Sequence, residues 1–159
     1  MASRVLVICV DDSDASEDAV KWTLCNICKD GDELHFLHVI PRFHLQLGGV
    51  PPADFLPHHD DEMYEELIKK SETFIARRFL IHVDQMAAAA SSPPPVIHII
   101  KFETDSDSIG TALSKKAEEL NAAVLVVARH DKSKLQQFFL GSVSSFCLEH
   151  SKRPVLVHH

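Results

Sequence analysis

An open α/β architecture, a parallel sheet with helices on both faces, is what this sequence predicts, and three observations predict it. Five short runs are strongly apolar, several of them rich in β-branched residues, as expected of strands covered on both sides. Between them lie longer segments whose apolar residues recur at helical spacing. Strand and helix patterns alternate along the chain, and that order implies right-handed crossovers and hence parallel pairing.

The first strand is Val5 to Val10, ending at Asp11 and Asp12. A helix follows: Asp14 with Glu17 three residues on makes a start like a capping box, and Ala15, Ala19, Trp22 and Leu24 suit one buried stripe. Lys29-Asp30-Gly31-Asp32 ends it. Leu34 to Ile40 reads as the second strand, closed by Pro41. The segment from Pro41 to Pro57 carries Gly48-Gly49, Pro51-Pro52 and Pro57 and reads as a long loop.

A long helical pattern runs from about 60 to 86, with Tyr64, Leu67, Ile68, Ser71, Phe74, Ile75 and Phe79 on one face. The low-complexity tract Ala87 to Pro95 then connects to a third strand, Val96 to Phe102, because its three prolines must end any helix. Ser106 can cap a helix through Ile109, Leu113, Ala117 and Leu120. Ala123 to Ala128 is the fourth strand, residues 141–150 a last short helix, and Pro154 to His158 the fifth strand. At 159 residues the whole chain, 1–159, suits one domain, and no internal repeat is visible.

Bulk properties exclude several function classes. Hydrophobic residues make up 45% and charged residues 25%, an ordinary globular balance. The net charge of -7 provides no overall positive field for nucleic acid or an anionic membrane. Neither a signal peptide nor a run near the roughly 18 apolar residues of a membrane span is visible, so a cytoplasmic location is expected. Cys9, Cys25, Cys28 and Cys147 are then expected to be reduced, with Cys9 and Cys147 acting as small core hydrophobes.

Other chemical signals weigh little. Cys25-x-x-Cys28 lies at the end of the first helix, where the dipole opposes a thiolate, so neither redox chemistry nor metal binding is expected of it. His58-His59-Asp60-Asp61 suits a solvated helix start better than a metal site. His35, His38 and His98 are expected to be satisfied, half-buried strand histidines. There is no Gly-x-Ser-x-Gly elbow and no Walker loop. No paired acid and base converge, and no enzymatic activity is expected.

In a doubly wound sheet, ligands bind outside the carboxyl ends of the strands where strand order reverses. The segments there are Asp11-Asp12-Ser13, Val39-Ile40-Pro41, Lys101 to Ser106 and Ala128 to Ser145. In the last, FFLGSVSSF places a glycine and hydroxyls at a helix start, where free N–H groups favour an anion such as phosphate. Plain N-capping by Ser142 or Ser144 is the competing explanation.

Several separated segments, in the same order, resemble the universal stress protein family. VLVICVDDSDASEDAVKWTL is similar to its opening strand and helix, LHFLHVIP to its second strand, and AAVLVVARHDKSKLQQFFLGSVSSFCLEHSKRPVLVHH to its closing strand-loop-helix-strand. The resemblance implies a Rossmann-like sheet, of the adenine nucleotide alpha-hydrolase type, with strand order 3-2-1-4-5 and a crevice between the first and fourth strands. It implies ATP or AMP as cofactor, with Asp11 at the ribose, Val39 at the adenine, Ala128 and His130 in the phosphate loop, and Gly141, Ser142, Val143 and Ser144 holding phosphates. It further implies a homodimer paired through the last strand, Pro154 to His158.

One departure from the family pattern bears on affinity. ATP-binding members carry Gly-x-x-Gly, nine residues, then Gly-Ser or Gly-Thr; here Gly141-Ser142 survives, but Ala128 and Asp131 stand where the first two glycines belong. Ala128 adds a methyl where backbone must approach a ligand closely. A carboxylate roughly 4 Å from a phosphate charge repels it by about 1 kcal/mol in water-like surroundings and about 4 kcal/mol at an effective dielectric of 20. That spans roughly a fivefold to a nearly thousandfold loss of affinity. Arg129, Lys132 and Lys134 flank Asp131 and offset part of it. The expected function is a stress-responsive binding or regulatory protein with weak or lost ATP binding. The alternatives are a working ATP/AMP switch or slow ATPase, and an enzyme of another class using the same crevice.

Overall fold

The computed structural model describes residues 3–41, 58–87, 93–102, 106–129 and 140–159. The expected Pro41–Pro57 loop, most of the alanine-proline tract, and the segment with His130, Asp131, Lys132 and Lys134 lie outside the described residues. Five strands, β1 (Val5–Cys9), β2 (Glu33–Pro41), β3 (Val96–Phe102), β4 (Val124–Ala128) and β5 (Val155–His158), form one sheet in the order β3-β2-β1-β4-β5. Every pairing is parallel. The helices are α1 (Asp14–Asn26), α2 (His58–Ile75), α3 (Ile81–Ala87), α4 (Ser106–Glu119) and α5 (Leu140–His150), with a π-helical turn, Ala76–Leu80, joining α2 to α3.

Period-2 alternation divides the central strand between two cores. Leu6, Ile8 and Val10 face one side, where Val20 and Leu24 of α1 and Ile75, Phe79 and Val83 of the long helical stretch cover them. Val7 and Cys9 face the other, beneath Leu113 and Ala117 of α4 and Val143 and Cys147 of α5. Leu6, Val7 and Ile8 are therefore fully buried, which is why β1 is a continuous apolar run.

Local details differ from the sequence reading in instructive ways. The cap of α1 is Ser13, whose hydroxyl accepts from the Ser16 amide, in place of the box expected from Asp14 and Glu17. The buried stripe of α1 is Ser16, Ala19, Val20, Thr23 and Leu24; Trp22 is 39% exposed and packs tilted against His158 of β5, 5.6 Å between ring centroids. The long helix does form, but its middle widens into the π turn. Phe79 sits there fully buried, its ring 6.0 Å from Phe36 and 5.6 Å from Phe74.

Opposite, α4 and α5 lie close because Gly110 has no side chain: a Cβ there would come within 2.5 Å of the Phe146 ring. Cys9 and Cys147 are buried as expected, whereas Cys25 is exposed. Burial pushes the Cys28 thiol up, opposite to what a reactive thiolate needs.

Phe79→Ala would remove the aromatic centre of the first core and leave a cavity between Phe36 and Phe74. Urea denaturation of the variant is expected to give a loss of about 3–5 kcal/mol.

Candidate functional site

Strand order reverses between β1 and β4: the chain runs from β1 outward to β3 on one side, then returns to β4 and β5 on the other. The two crossovers leaving these strands diverge and open a crevice at their C-terminal ends. Register places three of the expected residues around it. Cys9 pairs with Leu37 and Ile8 with Val126. Asp11 and Val39 are each two residues beyond one such pair, and Ala128 is two beyond Val126. All three thus lie near one level at the carboxyl edge.

The turn after β1 is closely held. The Val10 amide donates to the Leu37 carbonyl (2.9 Å), and the Val10 carbonyl accepts from Nδ1 of His38 (2.7 Å), so this histidine must carry its proton on Nδ1. Asp11 donates its amide to Oγ of Ser16 at 3.0 Å and accepts from Oγ of Ser13 at 2.5 Å. The Ser16 amide closes the set by donating to Ser13 (3.1 Å). Asp-x-Ser at this place thus builds an interlocked turn whose middle residue, Asp12, points to solvent.

Sequence reasoning missed what holds that turn from outside. Arg78, in the π-helical turn, donates Nη1 to Asp12 (2.7 Å), Nη2 to Asp14 (2.7 Å) and Nε to Glu17 (3.0 Å). Glu17 also meets Lys21 at 2.7 Å and Nε2 of His82 at 3.0 Å. Lys21 is the main reason that the Glu17 carboxyl is held down at about 2, with His82 and Arg78 adding to it against the opposing effect of burial. The signal was there as DDSDASED and a lone Arg77-Arg78 pair, but more than sixty positions separate them in the chain.

On the β4 side, the Arg129 amide donates to the His158 carbonyl at 2.8 Å, carrying the sheet one residue past Ala128. Ala128 is buried, so its methyl is already part of the core. The helix α5 starts at Leu140, one residue earlier than expected. Gly141, Ser142 and Val143 therefore fall within its first turn, whose N–H groups have no partner inside the helix. Ser142 and Ser144 are inside the helix, not before it, so neither is its N-cap. Val143 and Ser144 are both buried, Val143 in the second core, which leaves Val143 only its backbone to offer a ligand. His130 lies outside the described residues.

Only two of the three strand histidines meet. His38 is on the α2 side, edge-on to Phe74 at 5.8 Å. His35 and His98 stack on each other, with Nδ1 of one 2.8 Å from Nε2 of the other. Burial holds both below the ordinary imidazole range. The nearest carboxylate, Glu33, is 3.8 Å from His35, beyond hydrogen-bond distance. His98 lines an open groove of about 620 Å³ with Thr111, Lys115, Lys116 and Glu119, at the β3 edge and away from the switch point. Among the described residues no group of three or more potential ligands is placed to hold a metal ion, and no helix is long and apolar enough to cross a membrane.

Fold and switch-point crevice together define a doubly wound, Rossmann-like α/β protein. The sequence profile of the Universal stress protein family matches residues 2–159, and the chain belongs to that family. No curated protein matches it in sequence. Among solved structures it is similar to the universal stress protein UspA from Lactobacillus plantarum, with 18% identity, a TM-score of 0.61 and 100% of both chains covered. A universal stress protein in complex with cAMP is 21% identical at a TM-score of 0.57, covering 100% of this chain and 98% of that one. One from Archaeoglobus fulgidus in complex with dAMP is 17% identical at 0.55, covering 99% and 98%. At such identities the likeness is one of fold.

Glu17 carries a pH dependence whose sign is fixed by the direction of its shift. Its folded value lies below the unfolded one, so its stabilisation is complete above the ordinary carboxylate range and fades as pH falls through about 5 toward 2. Glu17→Gln should lower the urea midpoint at pH 7, and the gap to the parent should close as both are taken to pH 2.

Proposed function

We propose that the chain is a binding and regulatory protein of the stress-response type that takes an adenine nucleotide weakly in the β1–β4 crevice and works without catalysis. The observation that carries this reading is the intact Asp11-Ser13-Ser16 turn at the carboxyl end of β1, where strand order reverses between β1 and β4. Adenosine would rest near Asp11 and Val39, and phosphate near the amides of Gly141, Ser142 and Val143. Two solved members of the family hold cAMP and dAMP, which supports a purine monophosphate as ligand class.

Weakness follows from Asp131, which the family resemblance puts in the phosphate loop with His130, whereas the methyl of Ala128 is buried at the end of β4. Each added phosphate brings more negative charge toward Asp131, so AMP is favoured over ATP. Calorimetry is expected to give dissociation constants above about 100 μM for both, corresponding to less than about 5.5 kcal/mol of binding free energy. Asp131→Gly should tighten ATP by roughly fivefold or more. Saturable ATP binding at tens of micromolar in the parent would instead favour the second reading, a working ATP/AMP switch or slow ATPase. The closely held Asp11 turn is what speaks for that alternative.

A cytoplasmic homodimer through β5 belongs to the same proposal. β5 is a sheet edge, and the carbonyls of Pro154 and His158 already serve β4. Alternation then turns the backbone groups of Val155 and Val157 outward, beside the exposed Trp22. Val157→Pro removes one outward donor and spares the β4 ladder. Sedimentation should find the parent dimeric and this variant monomeric but folded; a monomeric parent would refute the pairing.

A further inference from the structure

The crevice sits beside an electrostatic problem. Asp11, Asp12, Asp14 and Glu17 crowd the end of β1 and the start of α1, next to the place proposed for an anionic ligand. Carboxylates near a helix start are favourable for the helix, but together they repel a phosphate. Arg78 is the cation that answers three of them at once, and its guanidinium fork reaches Asp12, Asp14 and Glu17 through three separate nitrogens.

Its placement is specific. Arg78 adjoins Phe79, which is fully buried, and the two must point different ways from one turn. The π-helical widening at Ala76–Leu80 inserts an extra residue per turn and re-phases the helix between α2 and α3. Arg77, the preceding residue, is exposed and makes none of these bonds. The side chains of Arg78 and Glu17 are each only 23% exposed, so their bond is the shielded anchor of the clamp, whereas Asp12 and Asp14 meet the guanidinium from the solvent side.

We propose that Arg78 is a positioning residue for the nucleotide crevice: it holds the β1–α1 turn in the shape that presents Asp11, and it neutralises the surrounding carboxylates so that a phosphorylated ligand can approach. This rests on the reading of the crevice as an adenine-nucleotide site. It deepens that reading by assigning tolerance of ligand charge to a residue outside the crevice itself.

The test compares the parent with Arg78→Gln, Arg78→Lys and Arg77→Gln, using adenosine, AMP and ATP as probes and amide hydrogen exchange of the unliganded proteins. Arg77→Gln removes the same charge from the adjacent position and is expected to behave as the parent. Arg78→Gln should speed exchange of the Asp11 and Ser16 amides at least about tenfold. It should also weaken AMP by about threefold and ATP by about tenfold at low salt, with adenosine least affected. Arg78→Lys should restore the ATP-to-AMP ratio but not the amide protection, because an ammonium cannot reach three carboxylates.

Should Arg78→Gln fail to fold, the double change Asp12→Asn with Asp14→Asn at exposed positions breaks the clamp from the other side. It should loosen the same amides while raising ATP affinity relative to AMP. Unchanged amides in a folded Arg78→Gln, or equal weakening of all three ligands, would overturn the positioning role and leave the nucleotide reading standing. A parent that binds none of the three at millimolar concentration would instead sink the nucleotide reading, and this assignment with it.

Discussion

Burial of β1 on both faces is the constraint from which the rest of this structure follows. Leu6, Val7 and Ile8 see no solvent, so the strand needs a neighbour on each side and helices above and below. Parallel neighbours cannot be joined by tight turns, and each connection must cross over as a helix. The central strand takes β2 on one side and β4 on the other, and the crossovers that leave β1 and β4 run in opposite directions. The crevice is thus a by-product of covering one strand completely.

Around that crevice, the polar groups work mainly to hold backbone. His38 spends its Nδ1 proton on the Val10 carbonyl, and Ser13 and Ser16 bond to Asp11 and to each other. Arg78 then ties the outer face of the turn to the helical layer that covers the first core. Removing a polar group from such a network costs more than the bond itself, because its partners are left unsatisfied in a partly buried place. The same arrangement explains why α1 begins where it does: the cap is the serine that Asp11 also needs.

Family membership and fold do not by themselves decide the chemistry of the site. The relatives with cAMP and dAMP share the sheet and its switch point with this chain at 17–21% identity. In the family pattern that the sequence resembles, two glycines stand where this chain has the methyl of Ala128 and the carboxylate of Asp131. One is buried within the core; the other brings charge of the wrong sign. Ala128 is accommodated without strain as the buried last residue of β4.

Period and composition alone determined the elements and their order. A doubly buried strand has little choice but to be apolar at every position, so β1 and β4 announced themselves, and the strand order suggested by resemblance is the one observed. Asp11, Val39 and Ala128 were legible as neighbours because parallel strands put their ends on one edge. Only tertiary structure decided that Ser13 caps α1, that Trp22 faces outward beside His158, and that α5 starts at Leu140 with Ser142 and Ser144 inside it. Only it paired His35 with His98 and brought Arg78 to Asp12, Asp14 and Glu17. Local patterns record what a residue needs from its own turn or strand. A charge that finds its partners more than sixty residues away leaves no local trace, because what joins them is the packing of one helix against another.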